Sequence, residues 1–397
     1  MKEGIIMANL NFNQISTLMT GLYREATGQE TTIKENDSTS FMSVATMTYN
    51  LGYDKIMGAL TNMLTKTMFV NRPYKAKFEL LSVDAQKWGA ITRKLSIIDG
   101  DIDNDPHYEL EDGVSMDMYV IKLPKPVQFN FYGSNVFMKQ ITIMTDQIDT
   151  AFRGPDEFGE FMSMVFGNHA DVIAQCIENV RRGTVGNAIA ALKAHGNAEQ
   201  VVHLLTEYNT ATGLSMTKQT ILQQTNFVPF CAWLYSRIET LRLRMAERSL
   251  LYHMNVDGKP LMKHSDKARQ KFCVYAPDQY MIDAISASAT RHPDYVPFAG
   301  TEYVAYWQNI NDPEKIKAKA AYLNTEDGSI LTDDEVTEVD NVFGIIFDGE
   351  FMGTTTINTR VATTPLNAVG LYYNQFDHFT ERYWTDFTED AVVLLLD

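Results

Sequence analysis

Apolar side chains recur at gaps of three and four positions through residues 155–195, and this spacing predicts a long α-helix with one apolar stripe. The segment opens with Pro155, which suits a first turn because it lacks an amide proton. The acids Asp156 and Glu157 follow, and they favour the positive end of the helix dipole. A continuous helix of this length would reach roughly 60 Å at about 1.5 Å per residue. Such an element suits a structural beam better than an enzyme core.

The strict heptad spacing in this segment holds only from Phe158 to Cys176 and then drifts, as it does on a straight helix. The segment is therefore predicted to be a spine that packs within its own subunit rather than a coiled coil. Gly183 and Gly186 lie in its second half, and we expect the helix to bend or to end early there.

Residues 8–70 form a polar arm rich in threonine and asparagine. Residues 13–23 are predicted to be helical, residues 28–40 to be an extended linker, and residues 41–66 to contain a second helix. We expect this arm to have little core of its own and to pack on neighbouring surfaces.

Residues 71–135 change to a strand-and-turn pattern. Residues 91–98 and 114–123 alternate partly between apolar and polar side chains and flank an acidic loop. The segment therefore predicts a long β-hairpin with a charged, projecting tip. Pro124 and Pro126 are expected to end its return strand or to confine that strand to a sheet edge.

The acidic loop resembles a calcium-binding loop in part. Asn104 stands where such a loop needs its turn glycine, and Leu110 stands where it needs a bidentate glutamate. These departures favour a solvated or partner-docking loop over a calcium site. Four aspartates occupy the first, third, fifth and seventh positions: Asp99, Asp101, Asp103 and Asp105.

A further helix is predicted over residues 229–254, with Pro229 in its first turn. Its charged residues admit two interpretations. One is an exposed face laced with opposite charges, and the sharper one is pairing with acids on a neighbouring subunit. The charged side chains are Arg237, Arg242, Arg244 and Arg248, interleaved with Glu239 and Glu247.

Beyond residue 261 the pattern predicts a compact α/β sheet domain over residues 261–351. Its predicted strands are residues 272–275, 303–307 and 342–347, with a helix over 279–289 and an exposed acidic loop over 326–340. Residues 354–361 are predicted to return to β structure, and the apolar run 392–396 to form a buried strand.

Composition narrows the classes of function. The chain has 397 residues, 45% hydrophobic and 21% charged, which is ordinary for a globular protein. It contains no apolar run long enough to predict a membrane span and no signal peptide. The formal net charge of −16 argues against tight DNA binding, which needs clustered lysine and arginine. Three widely spaced cysteines, Cys176, Cys231 and Cys273, are predicted to be buried free thiols.

The sequence lacks the common catalytic and nucleotide-binding motifs. It has no phosphate-binding loop, no nucleophile elbow, no H-E-x-x-H pair and no C-x-x-C pair. His169 falls on the apolar stripe of the long helix and is predicted to be a core histidine rather than a ligand. We therefore predict no catalytic, cofactor-binding or metal site.

The carboxyl-terminal stretch from residue 344 onward carries a resemblance. Residues 344–358, then Ala362-Thr363-Thr364-Pro365-Leu366-Asn367-Ala368, then residues 373–390 closely resemble the end of the major capsid (head) proteins of tailed bacteriophages. Residues 93–117, with the acidic hairpin, and residues 131–159 resemble the same family. The resemblance covers most of the chain and is weakest before about residue 40.

This resemblance implies an α+β, Hong Kong-type phage capsid fold. It implies an amino-terminal arm (1–70), an extended β-hairpin loop (71–135) and a peripheral domain with a long spine helix (136–260, rejoined by 352–397). The axial domain would span 261–351. The implied function is a major capsid protein whose hexamers and pentamers build an icosahedral head shell around double-stranded DNA.

The resemblance also implies partners. The chain lacks a long, charged, helical amino-terminal extension of the kind that scaffolds some relatives from within, so we expect a separate scaffolding protein, together with a portal. Packaged DNA would be enclosed and not specifically bound, and no membrane would take part. Assembly would occur in the cytoplasm of a bacterial host, and the protein would end in the virion.

Residues at the contacts between subunits are expected on the hairpin and on the helix predicted over residues 229–254. Some relatives cross-link a lysine of the extended loop to an asparagine of a neighbour, which points to Lys94, but no partner or catalytic acid is apparent. Two alternatives remain open: the shell of a bacterial encapsulin compartment, and an enzyme whose site is noncontiguous. The candidate contact residues are Asp99, Asp101, Asp103, Asp105, Lys94, Arg237, Arg244 and Arg248.

Overall fold

The computed structural model describes residues 11–66, 74–83, 92–98, 112, 119, 121, 125–131, 133–256, 261–275 and 301–397. Helices and strands are mixed along these residues, as expected for an α+β protein. The chain divides into two compact units. Unit 1 comprises Met1–Glu79, Ser134–Val180 and Thr355–Arg382, and unit 2 comprises Leu80–Gly133, Arg181–Thr354 and Tyr383–Asp397.

The elements follow one another in a mixed order. The helices are α1 (Phe12–Thr27), α2 (Ser38–Tyr49), α3 (Tyr53–Lys66), α4 (Thr145–Ala151), α5 (Pro155–Met162), α6 (Asn168–His195), α7 (Leu204–Thr212), α8 (Lys218–Ile221) and α9 (Gln224–Ala246). The strands are β1 (Thr92–Ile98), β2 (Lys125–Phe131), β3 (Ser134–Met144), β4 (Val201–His203), β5 (Gln270–Tyr275), β6 (Thr301–Val304), β7 (Ile316–Ala318), β8 (Ala321–Leu323), β9 (Ile330–Thr332), β10 (Thr337–Val339), β11 (Val342–Asp348), β12 (Met352–Thr363), β13 (Tyr372–Thr385) and β14 (Ala391–Leu395).

The amino-terminal arm is packed into unit 1, so the expectation that it has little core is wrong. The helix predicted over residues 13–23 is confirmed as α1, but the segment 41–66, predicted to contain one helix, lies in two helices, α2 and α3. Gly52, at φ 91°, breaks them apart. Apolar side chains of α1–α3 share one cluster with α4 and α5, in which Met19, Leu22 and Phe41 are fully buried. Because the three helices can bury these faces against each other and α5, the arm folds within its own chain.

The sheet of unit 1 has the strand order β12-β13-β3. Strands β13 and β3 are antiparallel, with Tyr372 opposite Met144 at one end and Arg382 opposite Ser134 at the other. Tyr373, on the buried face of β13, donates its hydroxyl to Asp54 Oδ1 on α3 at 2.8 Å. Burial and this hydrogen bond raise the pKa of Tyr373 to about 12, and the pair ties the sheet to the arm.

The outgoing strand of the predicted β-hairpin is confirmed as β1. Strand β1 pairs antiparallel with β2, from Thr92 opposite Phe131 to Ile98 opposite Lys125. Its partner is therefore Lys125–Phe131, and most of residues 114–123, where the return strand was predicted, lie outside the described residues. Pro126 lies inside β2, opposite Ile97. Among the described residues β1 and β2 form a two-stranded sheet, so β2 is an edge strand there, the position in a sheet at which proline is tolerated.

The long helical segment is present with one irregularity, and it lies elsewhere than expected. Helix α5 begins at Pro155 with Asp156 and Glu157 in its first turn. A π-helical turn, Ser163–Gly167, separates it from α6. Helix α6 continues to His195 through Gly183 and Gly186, so it does not end early there, and the bend expected as the alternative stays a prediction. The following turns, including Ile189 and Leu192, are fully buried, and this packing outweighs the low helix propensity of glycine.

Helix α9 differs from the helix predicted over residues 229–254 at both ends. It begins at Gln224 and ends at Ala246, and Pro229 lies inside it. Pro229 sits in the second turn, where its ring removes a single backbone hydrogen bond. Phe230, Leu234 and Ile238 are buried in the main core of unit 2, and this burial keeps the helix intact across the proline.

The main sheet of unit 2 has the strand order β4-β14-β11-β5-β6. The buried carboxyl-terminal strand is confirmed as β14, which lies antiparallel to β11 and parallel to β4. The strands predicted over 272–275 and 342–347 are confirmed as β5 and β11, whereas the one predicted over 303–307 ends at Val304. The acidic loop predicted over 326–340 contains the short strands β9 and β10. The helix predicted over 279–289 lies outside the described residues.

Candidate assembly site

The candidate contact residues fall into three groups. Asp99, Asp101, Asp103 and Asp105 lie outside the described residues. Lys94 lies on β1, the outgoing strand of the hairpin. Arg237 and Arg244 lie on α9, and Arg248 follows the end of that helix. Lys94 and the arginines therefore lie on different parts of the fold.

Lys94 is held by two carboxylates of its own chain. Its Nζ donates to Asp386 Oδ2 at 2.5 Å and also pairs with Glu389 Oε1. The lysine side chain is 18% exposed, whereas those of Asp386 and Glu389 are 3% and 6% exposed. Burial opposes the charged lysine, but the two carboxylates outweigh it and raise the pKa of Lys94 above its ordinary value. The side chain is therefore a protonated cation in a nearly buried ion pair.

The two carboxylates are presented by a tight turn between β13 and β14. Asp386 Oδ1 accepts the backbone N–H of Thr388 at 3.0 Å and its hydroxyl at 2.6 Å. The backbone N–H of Asp386 donates to Phe351 O at 2.6 Å, and that of Glu389 donates to Asp386 O at 3.1 Å. These bonds fix the turn, so its carboxylates are preorganised to receive the lysine.

Glu389 bridges two lysines. Besides Lys94 it accepts a hydrogen bond from Lys263 Nζ at 3.0 Å. Burial alone would raise the pKa of Glu389, but Lys94 and then Lys263 lower it below its usual 4.5. The cluster therefore joins the hairpin strand β1, the segment that leads into β5, and the last turn of the chain, all within unit 2.

A second buried carboxylate pair lies beside this turn. Asp348 accepts Ser265 Oγ at 2.6 Å and Arg269 Nη2 at 2.9 Å. Asp390 Oδ1 lies 3.1 Å from Nδ1 of His253, which is completely buried. Burial raises the pKa of Asp390, and the contact with His253 offsets this only in part. These groups are hydrogen-bonded to their own chain, which is what buried charges require for folding.

The arginines of α9 have different environments. Arg237 forms a bidentate pair with Glu207 on α7, with N···O distances of 2.6 and 2.8 Å. Arg242 is buried and bonds to Gln270 Oε1 at 3.0 Å, so its place on a solvent-exposed face is wrong. Arg244 and Arg248 are exposed. Helix α9 is thus anchored within the subunit by Arg237 and Arg242, whereas Arg244 near its end and Arg248 beyond it are exposed.

Comparison with known families gives one match. Residues 20–225, which are 206 of the 397 residues, match the Phi29-like phage major capsid protein family. The chain belongs to this family. Major capsid proteins form the head shell of the phage, so this protein is a structural component of the virion. The match favours the phage head over the encapsulin shell that the sequence also allowed.

Solved capsids share the fold of this capsid protein. A chain in the capsid structure of Staphylococcus phage Andhra superposes with a TM-score of 0.54 at 11% identity, over 84% of this chain and 87% of that one. A chain in the structure of the head fiber and inner core protein gp22 of native bacteriophage P68 gives a TM-score of 0.51 at 11% identity, over the same shares of both chains. Comparison with curated protein sequences gives no match.

Sequence reasoning found Lys94 of the capsid protein but not its partners. Asp386 and Glu389 lie 292 and 295 residues further along the chain, so no local pattern could connect them to Lys94. The available signal was the string Asp386-Phe387-Thr388-Glu389-Asp390, in which an aspartate precedes a hydroxyl residue by two positions, as in an Asx turn.

Neither a metal centre nor a membrane segment is found in the described parts of the capsid protein. Across those ranges, no three histidine, cysteine or acidic side chains converge to hold a metal ion. No helix that the structure describes is long and apolar enough to cross a membrane. His169 is buried as predicted and pairs through Nε2 with Asp377 Oδ2 on β13. Cys231 and Cys273 are buried free thiols, whereas Cys176 is half-buried.

Proposed function

We propose that this capsid protein assembles as hexamers and pentamers into an icosahedral shell that encloses double-stranded phage DNA. A separate scaffolding protein and a portal are proposed to take part, and no catalytic activity is proposed. Membership of the Phi29-like major capsid family carries the proposal, because it fixes the role in the head shell.

The domain roles are part of the same proposal. Residues 1–70 act as the arm, 71–135 as the extended loop, 136–260 with 352–397 as the peripheral domain, and 261–351 as the axial domain. The β1–β2 hairpin supports the extended loop, and the segment from Pro155 to His195 supports the spine.

The charge of the chain suits a wall around DNA. With a net charge of −16 the protein repels phosphates, so packaged DNA can move past the wall without being trapped. Electrostatics therefore favours enclosure over binding.

The hairpin and the exposed arginines are proposed to contact neighbouring copies. Lys94 anchors β1 to the carboxyl-terminal turn of its own chain, so the hairpin base is fixed while the acidic tip (Asp99, Asp101, Asp103 and Asp105) is left to dock. Arg244 and Arg248 are exposed cations that would complement such acids. Arg237 already pairs with Glu207, and its proposed contribution is to hold α9 in place.

Electron microscopy of the purified protein tests the proposal. Rings of six or five copies, or closed shells, are expected. Small discrete oligomers that turn over a substrate would instead support an enzyme. Shells that hold cargo enzymes and no DNA when isolated from infected cells would support an encapsulin.

A further inference from the structure

The turn between β12 and β13, residues 364–371, presents apolar side chains to solvent. Val369 is 97% exposed and Leu371 is 52% exposed. Single exposed apolar residues are common on protein surfaces and need no explanation. Three further properties of this turn set it apart: its rigidity, its backbone strain and its lack of charge.

The turn is held rigidly by Asn367. The side-chain Oδ1 of Asn367 accepts the backbone N–H groups of Val369 and Gly370, both at 3.0 Å. The backbone N–H of Asn367 donates to Tyr372 O at 3.0 Å, and the N–H of Leu371 donates to Asn367 O at 2.8 Å. Because the turn is already ordered, a partner that covers Val369 has little conformational entropy to remove.

The base of the turn is tied to the rest of unit 1. The backbone N–H of Thr145 donates to Leu371 O at 3.0 Å. Leu366, at the start of the turn, packs against the apolar cluster that contains the arm helices. Met144, which is 52% exposed, lies opposite Tyr372 and extends the exposed apolar surface onto β3. The 364–371 turn is thus anchored to unit 1 at its base, while the side chains of Val369 and Leu371 are exposed.

Leu371 adopts a backbone conformation that leucine rarely adopts. Its φ is 50°, in the left-handed region that glycine and asparagine enter at lower cost. A leucine here strains the backbone and leaves about half of its side chain in water, so it contributes little to the stability of the single chain. Strain of this kind is retained where the side chain has a function, and it points to the exposed leucine itself.

Charge is absent from the whole segment around the turn. Residues 361–376 include no lysine, arginine, aspartate or glutamate, although 21% of the chain is charged. The cores of protein interfaces are depleted of charge in the same way. Copies with a net charge of −16 repel each other, and an uncharged surface lets two copies meet without burying an unpaired carboxylate.

We propose that the 364–371 turn is a contact between copies of this chain, in which Val369 and Leu371 are buried against another copy in the assembled shell. The inference rests on the proposed shell-forming function and adds the surface that performs it. Another copy is the favoured occupant because the shell is built from copies of this protein, and because the uncharged turn avoids the repulsion between two acidic chains.

Two variants and one matched control test the contact in the full chain. Val369→Ser removes the exposed apolar group, and Leu371→Asn places a residue that tolerates positive φ at the strained position. Ile310→Ser is the control, because Ile310 is 72% exposed but lies in a segment that also carries Asp312, Glu314 and Lys315. Assembly is followed by sedimentation velocity and electron microscopy, and the fold by thermal unfolding of the single chain.

Both test variants are expected to need a concentration at least about tenfold higher than the parent to assemble, as expected for the loss of one buried aliphatic side chain. The single chains should unfold at the parent temperature or, for Leu371→Asn, above it. Ile310→Ser should assemble as the parent does. Normal assembly of both test variants, or an equal loss with Ile310→Ser, would overturn the contact.

Thiol labelling then identifies the occupant. Val369→Cys is made in a Cys176→Ser background, since Cys231 and Cys273 are buried and only Cys176 is partly accessible. A maleimide should label the new thiol at least about tenfold more slowly in assemblies of this chain alone than in single chains. Equal rates would refute the proposal, and so would protection seen only in particles that contain a second protein. If the parent does not assemble at all, the proposed function fails too; if the parent assembles and labelling is unchanged, only the contact fails.

Discussion

Lys94 Nζ lies 2.5 Å from Asp386 Oδ2, across 292 residues of sequence. This ion pair fastens the outgoing strand of the hairpin to the last turn of the chain, and Glu389 reinforces it from the same turn. If the acidic segment between β1 and β2 docks on a neighbouring copy, as proposed, the strands that carry it need a fixed base. We interpret the Lys94 cluster as that base.

Removal of the lysine should destabilise the single chain. Lys94→Met is expected to lower the free energy of unfolding by about 3 kcal/mol, because Asp386 would lose its cation while nearly buried. Urea unfolding of the single chain measures this. Lys55→Met, at an exposed position on α3, serves as the control and should stay within about 0.5 kcal/mol of the parent. A parent-like Lys94→Met variant would show that the pair contributes nothing.

The contribution of Glu389 should depend on pH in a defined direction. Its pKa is lowered in the folded chain, so its stabilisation is complete above its ordinary 4.5 and is lost as the pH falls through the folded value. The pKa of Lys94 is raised, so its share is complete below 10.5 and is lost as the pH rises through the folded value.

Comparison of the parent with Glu389→Gln isolates this effect. The parent should exceed the variant by about 2 kcal/mol in unfolding free energy at neutral pH, and the difference should shrink as the pH falls below the ordinary 4.5. A difference that grows as the solution is acidified would contradict the assignment.

Glycine in the long helix offers a gain in stability. An added Cβ at Gly183 would meet no atom within 4 Å, and one at Gly186 would lie 3.6 Å from Ile316 Cγ2. Gly183→Ala should therefore raise the free energy of unfolding by about 0.5–1 kcal/mol through helix propensity. Gly344→Ala is the opposite case, since its Cβ would lie 2.6 Å from Cys273 O and should destabilise the sheet. Thermal unfolding that ranks Gly183→Ala below the parent would argue against a continuous helix.

Elements specified by neighbouring residues were predicted correctly from the sequence, whereas features that depend on residues far apart in the chain were not. The apolar run at Val392–Leu396 and the first turn at Pro155 are local signals, and the structure confirmed both as β14 and the start of α5. The partner strand of β1 was not predicted, because Pro124 and Pro126 were expected to end a strand or to confine it to an edge; Pro126 lies inside β2, which is an edge strand among the described residues. The interruption at Gly183 did not occur because burial of the following turns outweighs propensity.

Only one member of the Lys94 cluster could be predicted from the sequence. Lys94 was recognised on its strand, but Asp386 and Glu389 are brought to it by the fold alone. The 364–371 turn was noted only for its family resemblance. The positive φ of Leu371 and the exposure of Val369, on which the proposed contact rests, are properties of the fold that cannot be read from the residue pattern.

The acidic hairpin tip carries a further prediction about assembly. Reversal of charge at Asp101, Asp103 and Asp105, each to lysine, should impair shell formation because the tip would lose its attraction for cations on a neighbour. The single chain should keep its unfolding temperature, because the partners of Lys94 are Asp386 and Glu389, which the triple variant leaves unchanged. Particle yield in electron microscopy and thermal unfolding are the two measurements. Normal shells from the triple variant would count against docking by the tip.

The central claim is that this chain builds the wall of a phage head, and imaging of particles from infected cells by cryo-electron microscopy tests it most directly. The account predicts closed icosahedral shells made of hexamers and pentamers of this chain, filled with DNA, with the 364–371 turn covered by another copy. Discrete small oligomers, or shells whose wall is another protein, would contradict it.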